Sequence, residues 1–267
     1  MTNSEKYLII NADDFGMSPQ VNHAISLSFQ NRLISDSSVM VTQMWDRYSK
    51  LADDIATILN GRGGVHFCLT AGKPVTENIK NLREICDNNG NFKSTLSINK
   101  GTTRLDHLGK KWIFEELIGQ ATVLCNLGLT ITHADSHQHV HHRMDIMPIV
   151  VNACHELQIP FLRIQSCERT NPLKSKIASF YKQNYIKFHK INTVDLFGSC
   201  AQILNSKSKG KYIVEIMCHP QLNNSQVIID KRKGLIPDEC IPLENMISQI
   251  KDKYIIISYF DLISMMS

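Results

Sequence analysis

Short apolar runs that are typical of strands alternate with stretches of helical periodicity along nearly the whole chain. Strands joined by helices pair in parallel, and about eight such units can close into a barrel. No internal repeat or linker interrupts the pattern, so we expect residues 1–267 to form a single α/β domain built as a barrel. The eight strand candidates are 7–10, 38–42, 65–69, 129–135, 161–164, 193–197, 212–218 and 254–258.

The bulk composition excludes several classes of protein. Lysine and arginine number 29 against 25 acidic residues, and so small an excess does not indicate a nucleic-acid partner. The basic stretch 173–189 is interpreted as a solvated helix face. No signal peptide and no apolar run of about eighteen residues occurs, so we expect no membrane span and a cytoplasmic location. The eight cysteines form no closely spaced pair, which agrees with a reducing compartment.

Two adjacent aspartates, Asp13 and Asp14, follow the first apolar run in the sequence NADDFG. Adjacent carboxylates repel, so a metal ion, hydrogen bonds or a raised pKa must accommodate their charge. The alternative is a turn in which one of them caps the next helix, but Ser18 and Pro19 already form a better cap. Neighbours on an extended strand point to opposite sides, so we expect the two aspartates to differ in role.

Five of the eleven histidines lie within 133–142, directly after the fourth strand candidate. If the strand continues to residue 137, its period of two places His133, Asp135 and His137 on one face. If a helix begins early, His133, His137 and His141 align instead. Both geometries include His137, which is therefore the strongest ligand candidate of the run. A solvated polar loop, or a stretch that binds metal fortuitously, is the alternative interpretation.

Two further histidines are candidates, one inside a strand candidate and one at the carboxyl end of another, where a barrel carries its chemistry. His66 lies in the third strand candidate, and alone it is more often a core or surface histidine than a ligand. His219 follows the seventh strand candidate, where it can serve as an acid or a base; an ordinary loop histidine fits equally well. Together with the aspartates and the histidine run, these positions indicate a metal site assembled from distant parts of the chain.

With these residues identified, the sequence resembles the YdjC-like carbohydrate deacetylases, whose best-known type is chitooligosaccharide deacetylase. NADDFG and HxDSHxHVH together are highly specific motifs. Three segments, 76–110, 165–192 and 221–245, depart from the family pattern and are candidates for substrate-contacting loops. The matching stretches follow the family's order: LIINADDFGMS at 8–18, GVHFCLTAGKPV at 64–75, THADSHQHVH at 132–141, LRI at 162–164, TVDLFG at 193–198, EIMCHP at 215–220 and ISYFDL at 257–262.

The resemblance implies a distorted TIM-like barrel that removes the N-acetyl group from an amino sugar with one divalent metal ion. Carried over by motif, Asp14, His66 and His137 would be the metal ligands. Asp13 would be the general base and His219 the acid. Two imidazoles and one carboxylate suit zinc better than magnesium by ligand softness, whereas the resemblance leaves magnesium open, so Mg²⁺ and Zn²⁺ both remain candidates.

Two residues of the matching stretches, His139 and Arg163, are expected to contact the substrate or to orient a ligand from behind. The resemblance also suggests a homodimer.

Two other functions stay open: hydrolysis of a different amide or of a phosphoester at the same site, and a catalytically inactive sugar- or metal-binding protein. The intact set of Asp13, three ligands and His219 argues against inactivity, because a binding protein needs no base. No Walker, GxSxG, HExxH or GxGxxG motif occurs.

Overall fold

Parallel strands run through the centre of the computed structural model, which describes residues 5–43, 48–96, 104–164, 180, 182–206, 213–231 and 234–266. In chain order the strands are β1 (Tyr7–Phe15), β2 (Asp36–Val39), β3 (Arg62–Phe67), β4 (Thr130–Ser136), β5 (Leu196–Gly198), β6 (Ile213–Cys218), β7 (Pro220–Leu222), β8 (Ile228–Asp230) and β9 (Ile255–Ile256). The helices are α1 (Pro19–Gln30), α2 (Tyr48–Ile58), α3 (His107–Asn126), α4 (Met147–Glu156), α5 (Cys200–Leu204), α6 (Leu243–Ser248) and α7 (Tyr259–Met266).

Seven of these strands form one sheet, in which β4, β3, β2, β1, β6 and β5 lie side by side. Every neighbouring pair is parallel. β9 lies beside the first residues of β1, where Ile255 pairs with Tyr7. β7 and β8 form a separate antiparallel pair directly after β6. The alternation of strands and helices thus produces the parallel sheet of an α/β domain, as the sequence predicts.

The sheet is a parallel half-barrel, and two isolated bridges extend it beyond β4. Ala134 bridges Leu162, and Phe161 bridges Asn192 a few residues before β5. The fifth strand candidate therefore makes single bridges and no regular strand in the part of the chain that the structure describes. Its backbone is still held on both sides, because Arg163 N donates to Ala134 O and Leu162 N to Asn192 O, each at 2.9 Å.

The first strand is longer than its apolar run, and its polar end positions the site. The apolar run predicts a short strand, whereas β1 continues to Phe15. Its polar half remains in the strand because those side chains have buried partners on other elements. Alternation places Asn11 and Asp13 on the face that carries Tyr7 and Ile9, which belong to a buried apolar cluster. The polar site therefore continues the apolar face of β1 toward the carboxyl end.

The turn after the two aspartates is held by the first turn of α1. Ser18 caps this helix as predicted, since its Oγ accepts from Val21 N at 3.2 Å. Asn22 Oδ1 accepts from Gly16 N at 2.7 Å. Only glycine fits at position 16, because its φ is +89° and a Cβ would lie 2.2 Å from Met40 O. The start of α1 thus fixes the backbone that carries the aspartates.

The other differences from the sequence pattern lie at element ends and in short elements. β2 and β3 begin before their apolar runs, because pairing with neighbouring backbones extends them. The pattern does not predict β7 and β8, since strands of three residues are too short to show a period. Of the basic stretch 173–189, the structure describes residues 180 and 182–189, and 182–188 are helical. Among the described helices, none is both long and apolar enough to cross a membrane.

Candidate active site

The predicted site residues come together at the carboxyl ends of four strands of the sheet. β1 ends with Asp13 and Asp14, and β3 contributes His66, which pairs in register with Asp135 of β4. His219 follows β6, the other neighbour of β1. Carboxyl ends of adjacent parallel strands meet at one edge of a sheet, and this explains how residues distant in the chain share one site.

A fully buried arginine, Arg163, binds three carboxylates. Its Nη1 and Nη2 donate to Asp13 Oδ2 and Oδ1 at 2.7 and 2.8 Å. Nη1 also lies 2.6 Å from Asp135 Oδ2, and Nε donates to Glu215 Oε1 at 2.8 Å. We call these four residues the arginine cluster. Burial alone would lower the pKa of Arg163, but the three carboxylates raise it well above its ordinary value.

The carboxylates of the arginine cluster are not equivalent. Burial raises the pKa of Glu215 although Arg163 opposes the change. Burial acts in the same direction on Asp135, but the charges of Arg163 and His66 outweigh it and lower the pKa of that carboxyl. One arginine charge thus faces three carboxylates, and the surroundings shift the pKa values of Glu215 and Asp135 in opposite directions.

His66 lies between two carboxylates. Its Nδ1 is 2.6 Å from Asp135 Oδ1, and its Nε2 is 3.2 Å from Asp14 Oδ1. Burial would lower the pKa of His66, but Asp135 and Asp14 raise it well above the ordinary value. The ring of His137 lies 6.0 Å from that of His66, centroid to centroid, and its Nδ1 is 2.7 Å from Thr70 Oγ1. We call Asp14, His66 and His137 the imidazole cluster.

One atom of the imidazole cluster lacks a partner. Asp14 Oδ1 is buried and has no hydrogen bond, although His66 Nε2 lies 3.2 Å away. Two ligand atoms of one ion, each about 2.1 Å from it, lie roughly 3.0–3.4 Å apart. Burial would raise the pKa of Asp14, but His66, His219 and His137 lower it to about 2, so this carboxylate is ionised. Asp14 Oδ1 and His66 Nε2 therefore have the spacing of two ligands of one cation, and the ring of His137 lies near them.

A second group of side chains could also hold a metal ion. Ligand atoms of Asp13, His66 and Asp135 all lie within 4.8 Å of one another. However, both oxygens of Asp13 and one of Asp135 already bind Arg163, so a cation there would lie against the guanidinium charge. Asp135 also holds His66 Nδ1, which leaves Nε2 as the nitrogen available to a metal.

The two aspartates differ in role, but strict alternation does not explain how. Asp14 has φ = 72°, a left-handed conformation that aspartate tolerates better than most residues. This twist lets Asp14 reach His66 while Asp13 reaches Arg163. Local backbone geometry, and not the period of the strand, assigns the two side chains to different partners.

His219 lies between two carboxylates at the rim of the site. Its Nε2 is 4.0 Å from Asp13 Oδ2 and its Nδ1 is 3.9 Å from Asp230 Oδ1. Asp230 Oδ1 also accepts from the backbone N of His219 at 2.9 Å. The side chain is 35% exposed. Burial lowers its pKa, but Asp230, Asp13 and Asp14 raise it to about 9, so the imidazole is cationic near neutral pH.

The histidine run follows neither of the two predicted geometries completely. β4 ends at Ser136, and a 3₁₀ turn over His137–His142 follows, with φ = 55° at both Gln138 and His139. His133 is buried within the strand, and it depends on Gly64, where a Cβ would lie 2.3 Å from His133 Nε2. The left-handed residues explain the outcome, because they end the strand and also prevent a regular helix.

The two remaining predicted residues lie at different depths. Arg163 is completely buried, so it supports the aspartates from behind and offers no surface to a substrate. His139 is half-buried, with its ring 6.1 Å from that of Phe197. Burial and the charge of Arg163 lower its pKa to about 4. Its Nδ1 has no hydrogen-bond partner, so His139 is a neutral imidazole with one unused polar atom.

Several residues that hold the site were not singled out from the sequence. Thr70 and Glu215 lie in motif stretches, but their hydrogen bonds join them to His137 and Arg163, 67 and 52 residues away, which no local pattern reveals. Asp230 lies on β8, in a segment that departs from the family pattern, and accepts from His219, eleven residues away. Asn11 shares the strand period of Asp13, two residues along, and was missed because an asparagine in an apolar run gives no signal of its own.

The fold and the site define an α/β protein that gathers buried carboxylates and imidazoles at the carboxyl ends of parallel strands. The chain belongs to the YdjC-like protein family, whose model matches residues 7–243. This confirms the resemblance that the motifs indicate.

Relatives of this chain are named as deacetylases. A carbohydrate deacetylase of Geobacillus stearothermophilus is 28% identical over 218 residues, which cover 80% of this chain and 79% of the relative. A chitooligosaccharide deacetylase of Yersinia pestis is 32% identical over 227 residues, 81% of this chain and 82% of the relative. A solved structure from Enterococcus faecalis V583, described as a candidate cellobiose-phosphate cleavage protein, shares the fold with a TM-score of 0.70 at 20% identity, covering 97% and 99% of the two chains.

Proposed function

We propose that this protein is a metal-dependent carbohydrate N-deacetylase that hydrolyses the N-acetyl group of an acetylated amino sugar and releases acetate. Its similarity to proteins named carbohydrate deacetylase and chitooligosaccharide deacetylase supports a hydrolase of acetylated sugars. The observation that carries the finer proposal is the buried, unpartnered Asp14 Oδ1 facing His66 Nε2 beside an arginine-held Asp13.

We propose further that the half-barrel belongs to a distorted TIM-like barrel within one domain that comprises residues 1–267. The bridges from β4 through Leu162 and Phe161 to Asn192 support this proposal, because they continue the parallel pairing toward β5. The edge formed by the carboxyl ends of the strands is then the natural entrance for a sugar, since these ends carry the polar groups.

Asp14, His66 and His137 would hold the divalent ion, with Mg²⁺ and Zn²⁺ as the candidates. When bound, such an ion polarises an amide carbonyl and lowers the pKa of water. Asp135 holds His66 Nδ1 and Thr70 holds His137 Nδ1, so Nε2 of each ring would be the nitrogen that binds the ion.

Asp13 would act as the general base that takes a proton from the attacking water. A carboxylate has about four lone-pair sites, so the contacts with Arg163 and Asn11 leave room for this proton. His219, cationic because its pKa is raised to about 9, would donate a proton to the departing amine nitrogen. Base and acid lie on neighbouring strands, 4.0 Å apart.

The two supporting residues would have separate tasks. Arg163 would orient Asp13 and Asp135 from behind the site, since it is fully buried. His139 would contact the substrate through the exposed part of its neutral ring or orient a neighbouring group with its buried Nδ1, which has no hydrogen-bond partner.

An acetate-release assay on N-acetylglucosamine oligomers tests the proposal. The protein is stripped with a chelator and reloaded with Mg²⁺ or Zn²⁺, and the same samples are given p-nitrophenyl phosphate. We expect metal-restored acetate release and no phosphate release. Phosphate release without acetate would support the rival phosphoester hydrolysis instead.

The variant Asp13→Asn separates an enzyme from an inactive binding protein. We expect turnover to fall about 10²- to 10⁴-fold, because the base is lost, while metal binding measured by calorimetry persists. Asp53→Asn, an exposed aspartate on α2, is the matched control and should retain full turnover. Unchanged turnover in Asp13→Asn would contradict the role of Asp13 as base.

A further inference from the structure

We propose that Tyr259, the first residue of α7, is a positioning residue that holds Asp13 through two separate chains of contacts. The inference rests on the proposed function in one respect, the role of Asp13 as the base. The match to the family model ends at residue 243, so the helix that carries Tyr259 lies beyond it.

Tyr259 is anchored so that its side chain has little freedom. Its backbone N donates to Asp36 Oδ2 at 2.8 Å, and Ile257 N donates to Leu8 O at 3.0 Å. The residue is 1% exposed, and its ring lies 5.3 Å from that of Phe161. The C-terminal segment is thus tied to both β1 and β2, and it inserts this phenol into the interior of the half-barrel.

The first chain of contacts runs through the arginine cluster. Tyr259 Oη donates to Glu215 Oε2 at 2.7 Å. The other oxygen of Glu215 accepts from Arg163 Nε at 2.8 Å. The two remaining nitrogens of Arg163 donate hydrogen bonds to the two oxygens of Asp13. Every link joins at least one charged partner, and such hydrogen bonds are stronger and more directional than neutral ones.

The second chain runs through the stacked ring. Tyr259 stacks on His133, with centroids 4.0 Å apart and planes inclined by 20°. Burial lowers the pKa of His133 to about 3, so this ring is neutral. Its Nε2 donates to Asn11 Oδ1 at 3.1 Å, and Asn11 Nδ2 donates to Asp13 Oδ1 at 2.9 Å. Thr132 Oγ1, 3.0 Å from Nδ1, favours the same tautomer.

The two chains meet only at their ends. The phenol hydroxyl hydrogen-bonds Glu215 and the ring face stacks on His133. Both chains of contacts end at the Asp13 carboxylate. A ring that served only to pack the apolar cluster would not need a hydroxyl aimed at a buried carboxylate. Tyr259 is too deeply buried to touch a substrate, so it can act on the reaction only through the residues that it holds. Both chains reach Asp13, and Arg163 also binds Asp135.

The variant Tyr259→Phe tests this role, because it removes the hydroxyl and keeps the ring. A small displacement of a reacting group lowers rates strongly, so we expect kcat to fall between about 10-fold and about 100-fold while KM stays within about twofold. The matched control is Tyr7→Phe. Tyr7 belongs to the same apolar cluster, but its hydroxyl donates to Glu5 Oε2, so kcat should be unchanged. A Tyr259→Phe protein with the kcat of wild type would overturn the proposal.

A double-mutant cycle with Glu215→Gln separates positioning from general packing. If the hydroxyl acts through Glu215, the double variant should lose no more kcat than Glu215→Gln alone. Multiplicative losses would overturn the first chain. If Tyr259→Phe fails to fold, Glu215→Gln tests the first chain by itself. A kcat equal to that of wild type in Glu215→Gln would show that this chain does not act on Asp13.

A spectroscopic measurement keeps this inference distinct from the proposed function. The ¹H–¹⁵N signal of Arg163 Nε, which is hydrogen-bonded to Glu215, should shift in Tyr259→Phe and remain in place in Tyr7→Phe. Absence of acetate release from wild type would refute the deacetylase proposal only. An unshifted Arg163 signal in folded Tyr259→Phe would refute the coupling of Tyr259 to the arginine cluster, whatever the reaction.

Discussion

The arginine cluster and the imidazole cluster lie side by side, yet they differ in how completely their polar atoms are satisfied. In the arginine cluster, Arg163 reaches all three carboxylates and the protein itself supplies the countercharge. In the imidazole cluster, Asp14 Oδ1 is buried without a hydrogen bond. A buried polar atom without a hydrogen bond is costly. The arginine cluster is thus complete within the chain, whereas Asp14 Oδ1 has room for a further partner, which we propose is a cation.

The most severe way to test this comparison is to remove the internal countercharge. Arg163→Met leaves three buried carboxylates without their cation, and we expect the free energy of unfolding to fall by about 3–5 kcal/mol. Urea denaturation measures the loss. Arg62→Met is the matched control: this exposed arginine lies over the ring of Phe260 at 3.7 Å, and its removal should cost at most about 1 kcal/mol. A fully stable Arg163→Met protein would show that the arginine cluster does not depend on its cation.

A milder change addresses the imidazole cluster alone. Thr70→Val keeps the shape of the side chain and removes the hydroxyl that orients His137 Nδ1. We expect metal affinity, measured by calorimetry, to fall about 10- to 100-fold, as is usual when a residue that orients a ligand is lost. Thr122→Val, on the exposed face of α3, should have no effect. Unchanged affinity in Thr70→Val would favour Asp13, His66 and Asp135 as the metal site, because none of them contacts Thr70.

The smallest expected effect concerns His219, which lies at the border of the two clusters. Its pKa is raised from 6.5 to about 9, so the stability that its charge contributes is complete below pH 6.5 and is lost as the pH rises through about 9. The cationic acid is lost over the same range, and kcat should therefore fall on the alkaline side. Asp230→Asn removes a carboxylate that raises this pKa, so the alkaline limb of the kcat–pH profile should move to lower pH. Asp238→Asn, an exposed aspartate that accepts from Asn224, should leave the limb in place, and an unmoved limb in Asp230→Asn would contradict the role of His219 as acid.

The elements of the fold could be predicted best where their pattern is long. Helix α1 begins at its predicted cap, and the parallel order of the main strands follows from their alternation with helices. Prediction failed for β7 and β8, which are too short to show a period, and for the carboxyl end of β1, where tertiary partners keep polar residues in the strand. The length of an element decides how much of its structure a local pattern can specify.

The candidate site could be predicted as a set of residues but not as a set of contacts. Asp13, Asp14, His66 and His219 lie near strand ends, and strand ends meet at one edge of a parallel sheet. Arg163 could be named from its motif, but its 150-residue separation from Asp13 in sequence conceals the contact. The contacts between these residues therefore follow only from the tertiary structure.

Local sequence patterns are sufficient to specify the chemical groups of this protein and their positions at the ends of parallel strands, since alternation and turn residues are local properties. Which carboxylate binds Arg163 and which faces His66 is settled by the three-dimensional fold. That choice depends on the left-handed backbone at Asp14 and on side chains brought from distant strands. Such partners share no period with the residues that they hold, because packing in three dimensions, and not spacing along the chain, brings them together.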